Sequence, residues 1–164
     1  MVSFRIMNYQ KEFNLARRKL EESGHCQVVV CDAVPAATGE IRYFSIEVGG
    51  CLWVDIKSDD SKWFRSHRIK LRSQLRSRNA EKNVIFIQRE LPALDKLLIL
   101  FHEMSHLRCH LLGCQCQIGA YLDDESFLAE KHADRGMLKW ALMVGNRELV
   151  QRALDLSIGA DVNG

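Results

Sequence analysis

Residues 83–106 read NVIFIQRELPALDKLLILFHEMSH, and this run decides the fold class. Asn83–Gln88 is a short apolar stretch of the kind that forms a buried strand. Pro92 suits the first turn of a helix, where its missing N–H has no partner to lose. The spacing after it predicts a helix over 93–112, stopped by Gly113. The five residues Leu97–Phe101 are all apolar, so this helix is expected to be buried.

Towards the N-terminus, residues 62–78 predict a helix with Phe64, Leu71 and Leu75 on one stripe and arginines around the rest. Before it, residues 40–48 alternate and Cys51–Ile56 is rich in apolar residues. Gly49-Gly50 between them reads as a hairpin turn. Gln27–Val34 reads as a buried strand stopped at Pro35. Residues 8–22 form an amphipathic helix closed by Ser23-Gly24. Towards the C-terminus, Asp123-Asp124-Glu125 marks the start of a helix over 125–144 that Gly145 ends, and another spans 148–156. The order of helix, three strands, basic helix, strand and further helices is an α+β pattern. A small, mostly antiparallel sheet packed on helices is expected.

Composition sets the bounds. The 164 residues are 47% hydrophobic and 27% charged, with two prolines, which is a globular composition and long enough for a core without covalent staples. No apolar run approaches the roughly 20 residues needed to span a bilayer, and the N-terminal residues lack a secretory pattern. A cytoplasmic protein with no membrane partner is expected, with its six cysteines reduced. Cys109, Cys114 and Cys116 with His110 suggest a second zinc site. However, no paired C-x-x-C spacing is present, and they are read as small buried side chains and surface thiols. Cys26, Cys31 and Cys51 fall in strand-like segments and are read as core.

The chemistry lies in His102-Glu103-Met104-Ser105-His106. Helical residues four apart sit one above the other, so His102 and His106 can present imidazoles to one tetrahedral Zn2+ ion. Glu103, about 100° round the helix from His102, flanks the ion and can take a proton from the attacking water. Left uncoordinated, two buried histidines around a carboxylate would cost on the order of several kcal/mol in unpaired polar groups. A third protein ligand is needed. His110 lies about 12 Å of helix rise from His102, too far for one ion bonded at about 2 Å. Glu130 on the next helix is the better candidate, with an ordinary salt bridge as the alternative use for it. Asp134 shares its face and can hydrogen-bond the far nitrogen of a ligating histidine. His132 points about 200° away from Glu130 on the same helix and is read as facing solvent or substrate.

The strand NVIFIQ, Leu91-Pro92, the apolar helix into HEMSH, and Glu130, Ala133 and Asp134 as E-x-x-A-D together resemble the ImmA/IrrE-type metallopeptidases of bacteria and phages. The resemblance is close over about a third of the chain. It implies a zincin-like, gluzincin-type fold, with His102, His106 and Glu130 as zinc ligands and Glu103 as general base. It also implies an endopeptidase cleaving a specific intracellular protein, in that family often a transcriptional repressor. After E-x-x-A-D the chain departs from the family, reading Arg135-Gly136-Met137-Leu138-Lys139-Trp140 without the closing Leu-Pro. Tyr121 and His132 are candidate oxyanion donors that no motif fixes in place.

HEMSH also resembles the SprT-type proteases, some of which act on DNA-bound proteins, though a usable further histidine is missing. A non-catalytic zinc-binding interaction module is the remaining alternative. Residues 62–78 hold seven basic side chains, among them Lys62, Arg65, Arg68, Arg72 and Arg76, and no acid. Removing those seven from 23 leaves 16 basic against 21 acidic residues. This stretch could bind nucleic acid phosphates or an acidic protein, or form a solvated face. Finally, Met137–Leu142, Gly145, Glu148–Val150 and Gly159–Asn163 resemble an ankyrin repeat. One repeat cannot bury its own face. The chain is therefore divided into a metallopeptidase domain, 1–145, and a helical extension, 146–164, expected to pack on it.

Overall fold

A computed structural model describes residues 6–35, 41–43, 49–56, 82–114 and 126–157. It is an α+β fold. The elements are α1 (Tyr9–Glu22), β1 (Cys26–Cys31), β2 (Ala33–Pro35), β3 (Ile41–Tyr43), β4 (Gly50–Ile56), β5 (Lys82–Gln88), α2 (Ala93–Leu112), α3 (Ser126–Val144) and α4 (Arg147–Leu156).

The main sheet has the order β1-β5-β4 and is mixed rather than mostly antiparallel. β1 runs parallel to β5, and β4 runs antiparallel to it. A parallel pair needs a long crossover between its strands, and 50 residues separate Cys31 from Lys82. The central strand β5 is the apolar run NVIFIQ, with Val84 to Ile87 entirely buried, as expected for a strand covered on both faces. β2 and β3 form a separate antiparallel pair. The strand expected to run from Gln27 to Val34 is thus two strands. They break at Asp32, which turns out to meet Arg89 at 3.5 Å.

Gly49-Gly50 is not the turn of a hairpin between β3 and β4, because β3 pairs with β2 and β4 with β5. Gly49 instead continues the ladder, its carbonyl accepting from the Gln88 N–H at 2.8 Å. Two small residues are needed there for a different reason. A Cβ on Gly50 would lie 2.7 Å from both the Phe86 carbonyl oxygen and Ile99 Cγ2, where α2 crosses the sheet.

α2 is buried over most of its circumference, with Leu97, Leu98 and Leu100 fully enclosed. Each such side chain contributes about 1.5–3 kcal/mol on leaving water. α1, β4, β5, α3 and α4 all pack against it. α4 brings Leu149 and Ala153 into the same core as Phe13 and Leu98. Its N-cap Asn146 and first-turn Glu148 accept hydrogen bonds from the Tyr9 hydroxyl at 3.0 and 2.7 Å, tying α4 to α1. Arg152 pairs with Asp95 of α2 at 2.9 Å. Among the described residues, no helix is long and apolar enough to cross a membrane. Lys62, Arg65, Arg68, Arg72 and Arg76, Tyr121 and the segment 159–163 lie outside the described residues.

Candidate metal centre

α2 and α3 pack antiparallel along two rows. In the first, Phe101 meets Trp140 with ring centroids 5.8 Å apart, and Ser105 lies against Gly136. In the second, His102 meets Asp134 and His106 meets Glu130. The first row sets how closely the helices approach. A Cβ on Gly136 would be 2.7 Å from Ser105 Cβ and would overlap its hydroxyl, which is held by donating to the Phe101 carbonyl. That close approach carries the acids of α3 to the histidines of α2.

In the second row, His102 Nε2 lies 3.0 Å from Glu130 Oε2, and His106 Nε2 lies 3.0 Å from Glu130 Oε1. The two Nε2 atoms are 3.2 Å apart. On its other side, His102 Nδ1 lies 3.0 Å from Asp134 Oδ1. With its Nδ1 proton donated to Asp134, which as a carboxylate can only accept, a neutral His102 would present a bare lone pair at Nε2. That lone pair then faces a carboxylate and a second imidazole nitrogen. The arrangement is attractive only with a positive charge at its centre, either a proton or a metal ion. The donor spacing suits a metal: tetrahedral zinc with bonds of about 2.0–2.1 Å has ligand–ligand edges of about 3.3–3.4 Å. The donor set of two imidazoles and a carboxylate, with an acid behind one imidazole, is also that of zinc chemistry. Glu130 is 41% exposed against 12% and 14% for His102 and His106, so the cluster opens to solvent on the Glu130 side. His110 is not part of it.

Without a metal, protons hold the cluster together. Burial pushes His102 towards its neutral form, but hydrogen bonds to Asp134 and Glu130 outweigh this and raise it to about 10. Burial likewise works to raise Glu130, but the hydrogen bonds from His102 and His106 hold it well below the usual carboxylate range. A raised histidine stabilises the fold fully below its unfolded value of about 6.5, and the contribution is lost as pH rises through the folded value. In chelator-treated protein, the stability advantage of wild type over His102→Ala is therefore expected to shrink between about pH 6.5 and 10. Urea unfolding across that range checks it, and a constant difference would refute it.

Glu103 is 5% exposed. Burial raises its carboxyl, and the charges of His106 and His102 oppose that rise. Its charge also bears on Cys26 of β1 and Cys51 of β4, whose thiols are pushed up chiefly by burial. Glu103 therefore lies between the histidines and the sheet, out of water. Asp134 is 7% exposed and orients His102 without joining the three donors. Asp134→Asn is expected to weaken zinc binding by about 10- to 100-fold, as loss of such an orienting acid does elsewhere. Competition with a chromophoric chelator measures this, and unchanged affinity would show that Asp134 does not orient the ring.

Sequence reasoning missed Gly136, whose signal was a glycine in mid-helix, a position that costs about 1 kcal/mol against alanine unless packing demands it. His132, read as facing solvent or substrate, is half-buried and lines a cavity, and its Nδ1 lies 3.6 Å from Cys114 Sγ. Comparison of the chain with protein-family models, with curated proteins and with solved structures gave no match.

Proposed function

We propose that the protein is a zincin-like, zinc-dependent endopeptidase acting on a specific intracellular protein, a transcriptional repressor being the class that the family resemblance implies. The observation that carries this reading is the convergence of His102 Nε2, His106 Nε2 and the Glu130 carboxylate within 3.0–3.2 Å, beside a buried Glu103. His102, His106 and Glu130 would hold the ion, and Asp134 keeps His102 in the tautomer that binds. Zinc held there supplies a Lewis acid that polarises a peptide carbonyl and acidifies water. Glu103 takes the proton of the attacking water onto a carboxylate oxygen and returns it to the departing amine. Its enclosure between α2 and the sheet keeps that carboxylate from being solvated and weakened as a base. The exposed side of Glu130 is where an extended substrate would enter.

The test is a search for new protein N-termini when zinc-loaded chain is added to a proteome. Cleavages are expected with the wild type and not with Glu103→Gln. Absence of cleavage by a zinc-loaded, folded chain would favour a non-catalytic zinc module. Cleavage seen only with single-stranded DNA would favour the SprT-like reading, which the basic stretch 62–78 motivates.

A further inference from the structure

A second set of soft donors lies one helical turn beyond the first. α2 ends at Gly113, which takes the left-handed conformation with φ 66°. The Gly113 N–H bonds to the His110 carbonyl at 3.2 Å and the Cys114 N–H to the Cys109 carbonyl at 2.9 Å. This pair of bonds is the Schellman motif, which folds the residue after the glycine back over the last turn. It places Cys114 beside Cys109 through the backbone alone. Across the interface, His132 of α3 stands on the same row as Gly136, one turn earlier, and so reaches the end of α2. The donor atoms of Cys109, Cys114 and His132 all lie within 4.8 Å of one another.

We propose that Cys109, Cys114 and His132 bind a second, structural zinc ion, distinct from the His102/His106/Glu130 centre. The distance between Cys114 Sγ and His132 Nδ1 is 3.6 Å. Tetrahedral zinc with bonds of about 2.3 Å to sulfur and 2.0–2.1 Å to nitrogen has a sulfur–nitrogen edge of about 3.6 Å. Two thiolates and an imidazole are donors that zinc takes, and a closed structural site would need a fourth protein donor beyond the three that converge among the described residues. All three side chains are half-buried, so an ion can enter and its charge is not fully hydrated. Cys109 and His132 also line a cavity of about 250 Å3 with Arg108, Arg135 and Lys139. His110, the histidine adjacent in sequence, is not among the donors; His132 comes from the facing helix.

The ion would pin the C-terminal end of α2 to α3. Cys109 is three residues from His106 and His132 two from Glu130, so the pin fixes the stretch of interface at which Glu130 meets His106. This role is structural and stands whether or not the protein hydrolyses anything.

Zinc is counted by mass spectrometry in full-length chain purified with a non-coordinating reductant. Wild type is expected to hold about two zinc ions per chain. His102→Ala/His106→Ala is expected to hold about one and, after exchange for cobalt, to keep the near-ultraviolet thiolate-to-cobalt charge-transfer band. Cys109→Ser/Cys114→Ser should lose that band and one zinc, and His132→Ala should weaken the retained ion. If the serine variant fails to fold, wild type decides the matter: a mercurial thiol reagent should release one zinc as the thiols are blocked. Three results would overturn the proposal. They are no charge-transfer band in cobalt-loaded wild type, a band unchanged in the serine variant, or a Cys109–Cys114 disulfide in place of metal. Loss of the His102/His106 ion alone would count against the proposed peptidase and leave this site standing.

Discussion

Replacing Glu103 by glutamine is expected to leave both zinc ions in place and to lower hydrolysis by about 100- to 10,000-fold, the range that a positioned general base contributes. The substitution is nearly isosteric, and Glu103 is not one of the three converging donors. The amide keeps the volume packed between α2 and the sheet. It also removes a carboxylate that burial pushes towards its protonated form. Stability should therefore hold or rise while turnover falls, a combination that separates loss of a base from loss of the fold. The readouts are the rate of substrate cleavage, zinc content and the thermal midpoint. Turnover within a few-fold of wild type would remove Glu103 from the mechanism. Loss of zinc would mean that it supports the ligands instead.

Gly136→Ala should have the opposite sign from the usual helix rule. Alanine in a helix interior is favoured over glycine by about 1 kcal/mol. Here the added methyl would overlap the Ser105 hydroxyl and come within 2.7 Å of its Cβ. Neither helix can yield cheaply, since Ser105 is 6% exposed and bonded to Phe101. Overpacking of this kind costs about 1–3 kcal/mol. Moving α3 outwards also withdraws Glu130 and Asp134 from the histidines, and a misplacement of about 1 Å is enough to cost catalysis some 100-fold. The expected result is a lower thermal midpoint together with weaker zinc binding at the His102/His106/Glu130 centre. Ser105→Gly removes the obstructing side chain, so the double variant should recover more than the two single effects allow. A Gly136→Ala chain that is more stable and binds zinc as before would show that the helices do not touch there.

What the sequence disclosed follows the range of the forces involved. α2 could be read from Pro92 to Gly113 because start and stop signals act within one turn. The shared face of His102 and His106 follows from helix geometry alone, and β5 from its unbroken apolar run. Glu130 and Asp134 could be named because spacing and resemblance pointed to the same helix face. Features set by contact between distant elements were not legible. Gly49-Gly50 carries the composition of a turn, yet it is small because Ile99 and the Phe86 carbonyl press on it. The parallel pairing of β1 with β5 depends on a crossover that no local pattern encodes. Cys109 and Cys114 lack the familiar metal-binding spacing because a helix cap, not a knuckle, brings them together. Their partner His132 is 18 residues beyond Cys114 and on another helix.

The most direct test is an anomalous difference map at the zinc absorption edge from crystals of the zinc-loaded chain. The expected result is a peak bonded at about 2 Å to His102 Nε2, His106 Nε2 and a Glu130 oxygen, with Asp134 on the far nitrogen of His102. Ordered side chains with no peak between them, and Glu130 hydrogen-bonded to a protonated imidazole, would contradict it.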